Sequence, residues 1–178
     1  MAEEFELDDF HFISHSFAEN IMSYVHGGYH PVRISDIMRS PLDTSYRIVH
    51  KLGFGGCATV WLAEKTEDPK SYVAVKIKRA DGSSPREAKC LRARQRKLDS
   101  LVVDILDAFD LQCPNGVHSA IVTDVLAPIR SFRDRSYRSR KKVSYDVAKA
   151  VAQIHASGIV HGGMAQRHCL VLCIWTIV

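Results

Sequence analysis

Ser71 to Lys78 (SYVAVKIK) alternates apolar and polar residues with period two, the pattern of a half-buried strand. Before it, Tyr46 to Lys51 (YRIVHK) is strand-like and runs into a glycine cluster, and Cys57 to Glu64 (CATVWLAE) is a second apolar strand. Asp68-Pro69 marks a turn between the last two. Three consecutive strands with short turns predict an antiparallel meander. Leu101 to Phe109 and Ser119 to Leu126 are two further strand candidates, set around the turn Pro114-Asn115-Gly116, which brings the expected count to five.

Two helices are expected. Ser84 can cap the first, Pro85 suits its first position, and Glu87 completes an S-x-x-E capping box; the segment runs to about Lys97. The second runs from about Ser144 to Ala156, with Val147, Val151 and Ile154 on one face and Gly158 just past its end. Residues 1–23 are acidic and aromatic, with Phe5, Phe10, Phe12 and Phe17 set among carboxylates. They predict a disordered N-terminal arm, with a docking peptide as the alternative.

Composition sets bounds around this pattern. The chain has 178 residues, 46% hydrophobic and 25% charged, which is ordinary globular composition for one domain or a small domain plus a fragment. A net charge of +4 does not by itself call for a nucleic-acid partner. Five cysteines are scattered without a C-x-x-C pair, so no zinc site is expected and free thiols in a reducing, intracellular compartment are. No apolar run reaches membrane-spanning length; the nearest, Cys169 to Val178, reads as a buried strand that lost its neighbours. Residues 130–142 (RSFRDRSYRSRKK) are strongly basic and read first as a solvated linker; nucleic-acid binding is disfavoured because few aromatics interleave with the charges.

The strongest chemical signal is Leu52-Gly53-Phe54-Gly55-Gly56-Cys57-Ala58-Thr59-Val60. A glycine-rich turn between two strands lets backbone amides approach phosphate oxygens without side-chain obstruction. The setting is strand–turn–strand, which excludes the strand–turn–helix phosphate loops. Sixteen residues after Val60 comes Lys76, in Val73-Ala74-Val75-Lys76, the V-A-x-K pattern of the third kinase strand. A lysine there supplies a fixed positive charge to nucleotide phosphates. Glu87 is the candidate carboxylate to hold it; its other reading is the capping box alone.

Tyr24 to Asp36 (YVHGGYHPVRISD) followed by Tyr46 to Leu62 (YRIVHKLGFGGCATVWL) resembles the opening of SR-protein kinases, including their fungal relatives. The resemblance extends more weakly through Pro114 to His118 and Val122 to Leu126 to Gly158-Ile159-Val160-His161-Gly162, and covers roughly residues 24–172. It implies an α+β, protein-kinase-like fold: a five-stranded antiparallel small lobe with one helix, then an incomplete helical large lobe. The implied division is an arm at 1–23, small lobe and hinge at 24–126, and the start of the large lobe at 127–178. The implied cofactor is ATP, contacted by Leu52, Gly53, Phe54, Gly55, Gly56, Val60, Ala74, Lys76, Thr123, Asp124 and Leu126. Leu52, Val60 and Ala74 would enclose the adenine, Thr123 would be the gatekeeper, and Asp124 to Leu126 the hinge. The implied partners are protein substrates rich in Arg-Ser, in the cytoplasm or nucleus.

The same resemblance exposes a departure. The family pattern H-G-D-x-x-x-x-N falls on His161 to His168, which puts Gly163 at the catalytic aspartate and His168 at the magnesium-binding asparagine. Glycine has no side chain, and histidine is a poor magnesium ligand because magnesium prefers oxygen. No D-F-G motif follows before Val178. The expectation is therefore a truncated, fungal-type kinase that binds ATP, lacks its magnesium ligands and is inactive as written. The alternatives are a non-catalytic pseudokinase-type binding module and a mis-spliced kinase fragment. Arg130-Ser131, Arg135-Ser136 and Arg138-Ser139 would, on this resemblance, mimic the family's substrate.

Overall fold

The computed structural model describes residues 19–82, 103–128, 137–158 and 170–172. The first expected helix, with Glu87, and the catalytic-loop positions Gly163 and His168 lie outside the described residues.

All five expected strands form. They are β2 (Ser45–Gly55), β3 (Ala58–Lys65), β4 (Tyr72–Lys78), β5 (Ile105–Cys113) and β6 (Gly116–Thr123). A sixth, β1 (Ile37–Arg39), adds to the edge, so the sheet has the order β1-β2-β3-β4-β6-β5. Its pairings are antiparallel throughout. Only three residues pair there, Ile37 with Arg47, Met38 with Tyr46 and Arg39 with Ser45. That is too short a run for periodicity to announce.

Alternation gives the sheet two faces. Met38, Tyr46, Ile48, Trp61, Ala63, Val73, Val75, Ile77, Phe109, Ala120 and Val122 form one buried cluster. The register places them on a common face: Ile48 opposes Ala63, Trp61 opposes Val75, and Phe109 opposes Ala120. Polar groups inside it are paired. The Tyr46 hydroxyl donates to Asp107 Oδ2 at 2.9 Å, and the Tyr46 ring stacks parallel on Phe109. Trp61 Nε1 donates to Thr59 Oγ1 at 3.0 Å.

Residues 19–36 lie along this sheet as an N-terminal strap. It opens with a 3-10 turn at Ile21–Ser23, capped by the Asn20 side chain. Its backbone then ties to two places. Gly27 N donates to Asn115 O at 2.8 Å, while Ala80 N and Asp81 N donate to Gly28 O and Gly27 O. Gly28 is forced, because a Cβ there would lie 1.9 Å from Ser23 O. His30 meets His118 edge-to-face at 4.9 Å. His118 Nδ1 donates to Lys78 O at 2.9 Å, and Nε2 lies 3.2 Å from the Cys113 sulfur.

Past the large sheet, β7 (Leu126–Pro128) pairs with β8 (Leu170–Leu172) in a two-stranded ladder. The run from Cys169 thus has a neighbour, correcting the expectation of a strand that lost them. Helix α1 (Tyr137–Ala156) starts seven residues before the expected Ser144. Arginine and lysine are good helix formers, and a Lys142–Asp146 ion pair at 2.8 Å spans one turn across the expected start. The helix ends as expected, with Gly158 at φ 72° and its amide bonded to His155 O at 2.9 Å.

The Tyr46–Asp107 bond yields a stability prediction. Tyr46→Phe leaves a buried carboxylate short of a donor and is expected to cost about 1–3 kcal/mol in urea denaturation at unchanged m-value. Burial, and then the bond to Asp107, push the Tyr46 phenol above the usual tyrosine range. A raised acid favours its neutral form in the folded state, so this contribution is complete below the unfolded value of 10.0 and is lost as pH rises above it. Wild type should lose more stability than Tyr46→Phe between pH 9 and pH 11; equal losses would refute the assignment.

Candidate functional site

The face opposite the buried cluster carries the residues singled out in the sequence. Gly53 pairs with Val60 and Val60 with Lys76, while Ala74 pairs with Thr123. Directly opposed residues of an antiparallel pair project to the same side. Gly53, Val60, Ala74, Lys76 and Thr123 therefore share one face across four strands. Ala74 is buried, and Val60, Lys76 and Thr123 are half-buried.

The glycine cluster forms the hairpin tip. Strand β2 continues to Gly55, Gly56-Cys57 make the turn, and β3 begins at Ala58, which pairs back with Gly55. A Cβ built on Gly53, Gly55 or Gly56 would meet nothing within 4 Å, and none of the three has positive φ. Neither the packing nor the backbone conformation requires glycine at these positions. What glycine leaves there is open space beside the backbone, which fits the close approach of a phosphate group.

Two register shifts bend β2 next to this tip. One extra residue, Val49, lies between Ile48 and His50, and a second, Leu52, lies between Lys51 and Gly53. Leu52 and Phe54 are exposed at the strand's open end. At the other end of the face, Thr123 closes β6, and its hydroxyl donates to Asp124 O at 3.1 Å. Exposed Asp124 and half-buried Val125 connect β6 to β7, which begins at half-buried Leu126. The expected hinge is thus the link between the two sheets.

Sequence reasoning passed over a group behind the hairpin. Lys51 lies 5.1 Å from the Trp61 ring centre and 5.7 Å from that of Phe54. It is ion-paired with Glu19, whose carboxylate also accepts from the Tyr24 hydroxyl. Burial pushes Glu19 up, but the bonds from Lys51 and Tyr24 outweigh it and hold its carboxyl below the usual range. The Tyr29 hydroxyl donates to Gly55 O at 2.9 Å. These contacts join residues 26 and 32 positions apart, and no local pattern marks them.

A solved kinase-domain crystal structure superimposes with a TM-score of 0.63 at 16% identity, over 80% of this chain and 43% of that one. The architecture is that of a protein kinase, an antiparallel small-lobe sheet leading through a link into a second unit. No protein-family model matches the chain. Among curated proteins it is 31% identical to serine/threonine-protein kinase spk-1 of Caenorhabditis elegans over 170 residues, 86% of this chain and 16% of the relative. It is 30% identical to serine/threonine-protein kinase SKY1 of Saccharomyces cerevisiae, over 85% of this chain and 23% of that protein. It is 33% identical to SRSF protein kinase 3 of Homo sapiens, over 61% and 20% respectively. The chain is of the SR-protein-kinase type, and it spans between 16% and 23% of the length of these relatives.

The two classes of glycine predict opposite outcomes. Gly55→Ala should change unfolding free energy by no more than about 0.5 kcal/mol, as a surface substitution does. Gly28→Ala must displace the Ser23 carbonyl and should cost roughly 1–3 kcal/mol or more. Denaturation midpoints of the two variants measured side by side check both.

Proposed function

We propose that this chain binds ATP on the face carrying Gly53, Val60, Ala74, Lys76 and Thr123, and that it does not itself transfer the γ-phosphate. The observation that carries the first half is the shared face of these five residues beside an unobstructed glycine tip. In this reading Leu52, Val60 and Ala74 enclose the base, and the backbone of Asp124 to Leu126 reads its edge. Amides of Gly53 to Gly56 approach the phosphates and Lys76 supplies a fixed positive charge to them. Glu87 would hold Lys76 from the helix expected at Ser84 to Lys97. ATP, when bound, presents an activated phosphoryl group.

The second half rests on Gly163 and His168. Phosphoryl transfer needs an aspartate to orient the substrate hydroxyl and an asparagine to hold magnesium, and neither side chain stands at the matching position. Removing such positioning and charge stabilisation costs several powers of ten in rate. The lineage chemistry is phosphorylation of serine in Arg-Ser-rich proteins. This chain fits better as a nucleotide-binding module with residues 24–126 as small lobe and hinge and 127–178 as the start of the large lobe, working inside the cell. Among the described residues no helix is long and apolar enough to cross a membrane.

Calorimetric titration of the full chain with ATP tests the first half. Saturable binding is expected, unchanged by magnesium and at least about tenfold weaker in Lys76→Ala, the loss of one charge-assisted contact. Heat-free titrations up to millimolar ATP sink the nucleotide reading. Incubation with radiolabelled ATP and an Arg-Ser peptide tests the second half; no labelling above a no-protein control is expected, and robust labelling overturns it.

A further inference from the structure

Three glycines make the hairpin tip open, and they also make it loose, because glycine loses more freedom on ordering than any other residue. A phosphate cradle has to be held in place before the ligand arrives, or binding must supply that ordering. The structure shows what holds this one, and it stands outside the nucleotide face. We propose that Tyr29 is a positioning residue for nucleotide binding: from the N-terminal strap, its hydroxyl anchors the Gly55 carbonyl at the tip of the glycine hairpin. The role rests on the ATP-binding reading for its ligand, while the anchoring itself stands on geometry alone.

The anchor is itself immobilised. Tyr29 is 5% exposed, its ring lies 5.4 Å from that of Tyr24, and the Arg79 guanidinium sits 5.3 Å over it. Its amide donates to Ser23 O at 2.9 Å and its carbonyl accepts from Asn115 Nδ2 at 2.8 Å. The Tyr29 backbone is thereby fixed to the β5–β6 turn, and through Gly27 and Gly28 the strap is bonded to Ala80 and Asp81, just past β4. β4 is the strand that carries Lys76. One strap thus references the glycine tip and the lysine strand to the same frame. Glu19 adds a second tether to β2 through Lys51, whose pairing with Trp61 puts it on the face away from Lys76.

The test compares full-length wild type with Tyr29→Phe, which removes only the hydroxyl, and with Glu19→Gln, which weakens the second tether and leaves the buried ring intact. Hydrogen exchange of a peptide covering Gly53 to Thr59 should rise about fivefold in Tyr29→Phe, the equilibrium worth of one ordinary hydrogen bond. Exchange in β4 and β6 should not change. Calorimetry should show ATP weakened by a similar factor, with adenosine, which lacks the phosphates, bound as in wild type. Glu19→Gln should shift both readouts in the same direction. Unchanged hairpin exchange in both variants overturns the anchoring. Faster exchange with equal weakening of ATP and adenosine reduces Tyr29 to a structural residue and overturns the positioning role. A wild-type chain that binds neither ligand overturns the nucleotide reading, and with it this role, while the exchange data still report whether the tip is anchored.

Discussion

A one-residue slip of β4 against β3 would carry Ala74 and Lys76 to the side where Trp61 and Ala63 pack, and would turn Val73, Val75 and Ile77 outward. Register is therefore the constraint on which everything else rests. The buried cluster enforces it, because Val73 and Val75 are almost fully enclosed and expelling them would give up roughly 1.5–3 kcal/mol for each side chain. The apolar face thus fixes the chemistry of the other face without contributing an atom to it. Val60, Ala74, Lys76 and Thr123 stand together because their neighbours in sequence are buried.

Glycine does two different jobs in the first 60 residues. Gly28 is required by the fold, since any side chain would collide with the Ser23 carbonyl. Gly53, Gly55 and Gly56 are not, and their lack of side chains has meaning only for something that comes from outside. The same residue type is structural in the strap and leaves open space in the hairpin, and the strap reaches the hairpin strand through Tyr29 and Glu19.

Most of this fold was legible because its strands carry local signals. Period-two alternation marked β4, and the glycine cluster and Pro114-Asn115-Gly116 marked the two hairpins. Gly116 is doubly determined, with φ 128° and Ala80 Cβ 2.8 Å from where its own Cβ would be. Gly53, Val60 and Lys76 were legible as a spacing, and the strand register sets them opposite one another on one face. What escaped is long-range. The edge strand β1 is three residues long, and the bonds from Tyr29 to Gly55 and from Glu19 to Lys51 join segments with no shared motif. The early start of α1 escaped for another reason: the basic run was read as a linker, whereas Lys142 and Asp146 pair across the expected boundary.

The two extra residues of β2 act as a pair of opposite phase changes. Counting by twos from buried Ile48 puts Lys51 on the face of Lys76 and Lys78, opposite the buried cluster. The insertion at Val49 inverts the count, so that Lys51 opposes Trp61 instead, and the insertion at Leu52 restores it before Gly53 meets Val60. The out-of-phase interval is only two paired residues long, His50 and Lys51. Its effect is to move one cation off the face of Lys76 and Lys78 and deliver it to the carboxylate of Glu19 on the other side. A strand of perfect alternation would have been simpler to fold, and it would have left the strap without its partner.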